Sequence, residues 1–295
     1  MATVKANGIQ IEYDTFGNKS SAPLLLIMGL GAQMILWDEE FCKQLAARGH
    51  FVVRFDNRDI GLSTKFDDAG MPNIVKAMMA RMQGEKIVSA YTIDDMADDS
   101  VGLMDALGID KAHICGASMG GMIAQTIAIR HPKRVSSLIS IMSSTGDPTL
   151  PQAKPEIMAL LLTPPPPTRA AFIEHGIRMW RTISGSGFPF DEAWTRKRVE
   201  LSYDRSFCPP GVARQLVAIL AHGNRTPALK SVTAPTLVIH GDDDPLVPVE
   251  CGKATAEAIP GSELLVIKGM GHSMPVAVWP QLIDAITNHT RRPVL

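Results

Sequence analysis

The chain of 295 residues is 45% hydrophobic and 20% charged, a balance that supplies apolar surface for a large core and excludes general disorder. Its 29 basic residues nearly cancel 30 acidic ones, and no basic patch stands out, which argues against a nucleic-acid partner. Cys42, Cys115, Cys208 and Cys251 are scattered without metal-ligand spacing and read as reduced thiols, three of them buried filler.

The chain opens on a hairpin signal: alternating residues up to Ala6, the turn formers Asn7-Gly8, then Ile9-Gln10-Ile11-Glu12-Tyr13. Apolar 24–28 suits a strand buried on both faces. Trp37, Phe41, Leu45 and Arg48 fall at three-to-four spacing and predict a helix over 37–48. A strand follows at 51–55, and Ile93, Met96, Val101, Met104 and Leu107 give an amphipathic helix over 92–107. Strand 112–115 runs into Gly116-Ala117-Ser118-Met119-Gly120-Gly121, a helix continues over 122–129, and 135–141 is another strand. From Pro235 the rhythm resumes with strand 236–240, helix 251–259, strand 264–267 and helix 276–289.

Strands alternating with helices at this spacing predict an α/β fold, a mostly parallel sheet covered on both faces, with the opening hairpin as an antiparallel edge. Residues 146–228 break the rhythm and carry four consecutive prolines, Pro164 to Pro167. Helical stretches around 168–182 and 210–222 make this segment an inserted helical cap rather than a loop, the proline run being a stiff connector. The expected division is therefore a core of 1–145 and 229–295 with a cap of 146–228. The first residues lack a basic region followed by an apolar stretch, and no apolar run reaches membrane-spanning length. These features predict a cytoplasmic protein without membrane insertion and leave its oligomeric state open.

Gly116-x-Ser118-x-Gly120 carries the chemistry. Its letters alone are weak, but a strand before and a helix after place Ser118 on a sharp turn, as a nucleophile elbow requires. A serine hydroxyl needs a base, and the base an orienting acid. His272, in Gly269-Met270-Gly271-His272 after the last strand, is the best-placed base. Of Asp242, Asp243 and Asp244, the spacing Gly241-x-x-Asp244-Pro245 favours Asp244, with Asp147 as an outside candidate and the other two as solvated turn formers. An oxyanion needs two backbone donors. Met119 N–H follows from the elbow, and Leu30 N–H, within Gly29-Leu30-Gly31, is the choice for the second. A dinucleotide fingerprint from Gly29 fails at Met34, and no histidine pair has metal spacing, so neither cofactor nor metal is expected.

Five segments in order resemble the α/β-hydrolase superfamily: Leu25-Leu26-Ile27-Met28-Gly29, Phe55-Asp56-Asn57-Arg58-Asp59-Ile60-Gly61-Leu62-Ser63, 116–121, 235–248 and 269–272. Within it the chain is most similar to the aclacinomycin methylesterase group, through Arg58-Asp59-x-Gly61-x-Ser63 and Met28-Gly29. The resemblance implies a Ser-Asp-His triad, here Ser118, Asp244 and His272, with oxyanion donors Leu30 and Met119. Met28 stands where many members have histidine, and Asp59 where glycine is usual. A serine nucleophile separates the chain from relatives that use aspartate, the haloalkane dehalogenases and epoxide hydrolases.

The chain has 16 methionines, of which Met28, Met34, Met119, Met122, Met270 and Met274 lie beside the expected site. They read first as core filling and second as an adaptable acyl pocket. Gly29, Met34, Met122, Met274 and the cap residues Trp180 and Phe188 are the expected substrate contacts. No charged lining is evident, so the expected substrate is a small-molecule, uncharged and rather apolar ester. The leading expectation is a carboxylic-ester hydrolase. The alternatives are an acyltransferase or perhydrolase with the same triad, a hydrolase of carbon–carbon bonds, and a non-enzymatic ligand receptor on this fold.

Overall fold

The computed structural model describes residues 1–291. Eight strands form one sheet: β1 (Ala2–Ala6), β2 (Ile9–Phe16), β3 (Ala22–Ile27), β4 (His50–Phe55), β5 (Ala112–Ala117), β6 (Val135–Ile141), β7 (Thr236–Gly241) and β8 (Glu263–Ile267). Their order across the sheet is β1-β2-β4-β3-β5-β6-β7-β8. The β1–β2 hairpin turns at Asn7-Gly8, both at positive φ, and β2 joins β4 antiparallel. All remaining pairs are parallel.

Because successive residues of a strand face opposite sides, the apolar run of β3 supplies two cores at once. Leu24 and Leu26 enter one core with Trp37, Phe41 and Leu45 of the α1 region (Glu39–Ala47) and with Trp279, Leu282 and Ile286 of α11 (Trp279–Thr290). Leu25 and Ile27 enter the other, against α3 (Ile93–Ala106) and α4 (Met119–Arg130). Thr92 opens α3 with a capping box to Asp95, which satisfies donors that the helix itself cannot. Helix α11 begins later than the expected 276, because Val276–Val278 forms a separate 3-10 turn.

Two stretches hold helices that periodicity missed. α2 (Ile74–Gln83) lies between β4 and α3. Between β6 and β7 come α5 (Pro155–Leu162), α6 (Arg169–Ile183), α7 (Glu192–Arg205), α8 (Pro209–His222) and α9 (Thr226–Leu229), followed later by α10 (Val249–Ala258). α5 and α7 were not expected. α7 buries only Thr195 and Val199, too few apolar positions for a helical stripe to stand out in the sequence. Val199 packs with Ile173 and Ile177 of α6, giving this helical segment a small core of its own. No helix among the described residues is long and apolar enough to cross a membrane.

Candidate active site

β5 is buried throughout and ends directly at Ser118, which adopts φ 57° and ψ −120° before α4 begins. A non-glycine residue in that region is strained, and the surroundings must hold it there. They do so by close approach. A Cβ on Gly116 would lie 2.0 Å from Gly120 O, and one on Gly120 would lie 2.1 Å from Ile27 O. Only glycine fits either position. Ser118 N–H donates to Ile141 O, and Ser143 Oγ donates to Ser118 O.

His272 meets Ser118 from the loop after β8. Its Nε2 lies 3.0 Å from Ser118 Oγ and its Nδ1 lies 2.7 Å from Asp244 Oδ2. An ionised carboxylate only accepts, so Nδ1 carries the proton and Nε2 is left to accept from the serine hydroxyl. Asp244 is itself fixed, its Oδ1 accepting the N–H groups of Leu246 and Val247 at 2.9 and 2.8 Å. The structure thus brings together Ser118, His272 and Asp244, three residues far apart in sequence.

The competing acids go elsewhere. Asp147 accepts from Thr149 N–H and Oγ1 in its own turn. Asp242 accepts Gly269 N–H, and Asp243 accepts both Ser186 N–H and Oγ. These two are therefore ties to the His272 loop and the helical segment rather than merely solvated charge. The same loop is bound from α6, with His272 N–H donating to Ile183 O and Gly271 N–H to Ser184 O.

Gly29 sits where any side chain would crowd Ser118, its Cβ position being 3.0 Å from Ser118 Cβ. Among the described residues, the N–H groups of Leu30 and Met119 find no acceptor, while Gly31 N–H donates to Gln215 Oε1 at 2.9 Å. Met119 N–H is one of the first-turn donors that an α-helix leaves free. The loop from 28 to 34 is held from below by Asn57 Nδ2 to Met28 O and by Met34 N–H to Asp56 Oδ1. From above, Arg205 bonds Gln33 Oε1 and pairs with Asp56, while Gln33 Nε2 reaches Ser202 O and Ser206 O.

Sequence reasoning missed Gln33, Gln215 and Arg205, whose partners lie more than a hundred residues away. Asp56 and Asn57 stood inside the quoted 55–63 run without an assigned role. Asp59, also in that run, is fully buried at φ 72° and forms a two-pronged pair with Arg214 of α8, both contacts at 2.7 Å. Asp59 is thus an anchor for the helical segment.

Of the expected substrate contacts, Trp180 and Phe188 line a cavity of about 240 Å³ that reaches Ser273, next to His272. Met274 lines a neighbouring hollow with Trp37 and Trp194. Met34 is wholly buried, and Met122 is half-buried against the core of α3 and α4. The expectation of an uncharged lining needs correction, because Arg198 borders the Trp180–Phe188 cavity.

The family model of the alpha/beta hydrolase fold matches residues 22–276, and the chain belongs to that family. Its similarity to the methylesterase group has a specific form. The chain is 31% identical to the rhodomycin D methylesterases DauP of Streptomyces sp. (strain C5) and DnrP of Streptomyces peucetius, over 93% of this chain and of each relative. Among solved structures, the esterase EaEST from Exiguobacterium antarcticum shares the fold with a TM-score of 0.76 at 22% identity, covering 98% of this chain and 99% of that one.

Proposed function

We propose that this protein is a carboxylic-ester hydrolase working through an acyl-enzyme. Ser118 attacks the ester carbonyl as His272 Nε2 takes its proton, and Asp244 holds the imidazole in the reactive tautomer and balances its charge. The carbonyl oxygen, now an oxyanion, accepts from Leu30 and Met119 N–H. His272 then returns the proton to the departing alcohol, activates water, and the acyl group leaves Ser118 as a carboxylate. The observation that carries this reading is the unbroken chain from Ser118 Oγ through His272 to Asp244 at 3.0 and 2.7 Å.

The methylesterase relatives point to a methyl ester, and the aromatic cavity beside His272 suits an apolar acyl body. We therefore assign the helices between β6 and β7 the role of a cap over the site, and Gly29, Met122 and Met274 the role of its acyl-side lining, while Met34, wholly buried, cannot reach a substrate.

The test is hydrolysis of a p-nitrophenyl ester chain-length series by wild type and Ser118→Ala, with mass spectrometry of protein treated with a fluorophosphonate. Expected are a fall in turnover on the order of 10⁴ in the mutant and a single adduct on Ser118. Equal rates in the two proteins, or labelling elsewhere, would overturn the mechanism.

A further inference from the structure

Arg198 is the one cation among the described residues on the border of the aromatic cavity, and nothing in the mechanism above uses it. The cavity lies between the end of α6, the start of α7 and the segment after His272, bounded by Trp180, Phe188, Phe190, Trp194, Arg198 and Ser273. The guanidinium carbon stands 4.0 Å from the Trp194 ring centre and 5.9 Å from that of Trp180. One nitrogen is engaged, donating to Leu36 O at 2.8 Å. Nε is buried without any partner, and no carboxylate lies within ion-pair distance of the side chain among the described residues.

An unpaired guanidinium in such a place is costly unless something else completes it. Removal from water pulls its pKa down to about 10, which still leaves it charged at neutral pH. Ser273 carries the second unsatisfied group, a buried hydroxyl with no hydrogen-bond partner. Two residues that border one cavity, on different elements, thus each hold a polar group without a partner. Asp191 also borders it, but that residue is exposed and its Oδ1 is occupied by Trp194 N–H as the cap of α7.

We propose that this cavity binds the ionised carboxylate of an aromatic ligand, with Arg198 and Ser273 as its donors and the Trp180–Trp194 faces holding the ring. A carboxylate supplies the acceptors that a guanidinium and a hydroxyl both lack, and planar rings stack on the indoles. The occupant we assign is the substrate's own body, making it an acidic ester rather than a neutral one. That last step rests on the esterase reading, whereas the binding site itself does not.

The experiment is calorimetric titration of Ser118→Ala, so that turnover plays no part, with 2-naphthoate and with its neutral isostere 2-naphthamide. Naphthoate should bind at least tenfold more tightly than the amide, and added salt should narrow the gap. Arg198→Met should abolish the preference. Arg198→Lys keeps the charge but not the planar fork, so part of the preference should survive. Ser273→Ala, a small change outside the folding core, should weaken naphthoate several-fold with the amide unchanged.

Equal binding of the two probes, or an undiminished preference in both Arg198 variants, would overturn the site. In parallel, wild type is assayed on monomethyl and dimethyl 2,6-naphthalenedicarboxylate, where the acidic monoester should show the lower KM. Arg198-dependent naphthoate binding with no ester turnover would sink the esterase reading and leave the site standing. Turnover without any preference for the acid would overturn the acidic-ester assignment and leave the esterase reading standing.

Discussion

Replacing Asp59 with glycine tests whether one buried pair clamps the helical segment onto the sheet. Asp59 and Arg214 are 0% and 2% exposed at the side chain and meet through two contacts of 2.7 Å. Asp59 also accepts Phe66 N–H, and Arg214 donates to Gly70 O. Arg214→Met strands the carboxylate in the interior, which costs about 3–5 kcal/mol. Asp59→Gly strands the guanidinium instead, but removes a side chain from a left-handed backbone position, which returns about 1 kcal/mol. Its net loss should be about 2–4 kcal/mol. The double variant leaves no buried charge behind and should lose only about 1–3 kcal/mol, well short of the roughly 5–9 kcal/mol that additivity demands. Urea unfolding of the four proteins measures this directly, provided the slopes agree. Single losses that simply add, to within about 0.5 kcal/mol, would refute the claim that the two charges exist for each other.

The same pair predicts an acid limb of stability. Burial, the largest single influence, would raise the Asp59 pKa, but its partners, Arg214 first and Phe66 N–H next, together outweigh it and hold the carboxyl below its usual range. A depressed folded pKa stabilises the protein above the unfolded value of about 3.9 and is lost as pH falls through the folded one. The stability gap between wild type and the double variant should be constant near neutrality and shrink below about pH 4; a gap that instead widened in acid would contradict this sign. Gln215 makes a separate link, accepting Gly31 N–H and donating to Arg58 O, both at 2.9 Å, from a fully buried position on α8. Gln215→Leu orphans both backbone groups and should cost about 2–4 kcal/mol of stability. It should also lower kcat about tenfold with KM little changed. Gln215→Glu, which keeps the acceptor for Gly31, should recover most of kcat, and failure of that rescue would reduce Gln215 to a purely structural role.

What the sequence revealed and what it hid divide along a physical line. Ser118 was legible because its geometry is enforced locally, by glycines two residues away on either side and by a strand that stops where the helix starts. The run 24–28 announced its strand because a segment buried on both faces has to be apolar throughout. α7 announced nothing: apart from Val199 in the small core it is held by polar ties, among them Asp191 at its cap, Arg198 against Trp180, and Arg205 on Gln33 and Asp56. None of these makes a periodic pattern. α2 stayed hidden for the opposite reason, since Val75, Met79 and Met82 are exposed and the apolar residues run all round it.

The same division explains why the charged lining escaped notice. Arg198 sits among Arg196, Lys197 and Glu200, where a charged residue reads as solvated surface, and only the fold sets it beside Trp180, eighteen positions earlier. The residues that could perform bond breaking belong to the strand ends, which local rules govern. Those that could select what is broken belong to the contacts between the inserted helices and the loops around His272 and Leu30. Gln215, Arg214 and Arg205 each bridge those two parts. A change of substrate in this family can therefore proceed by substitutions in α6–α8 that leave Ser118, His272 and Asp244 where they are, provided the buried partners of Asp56 and Asp59 are kept.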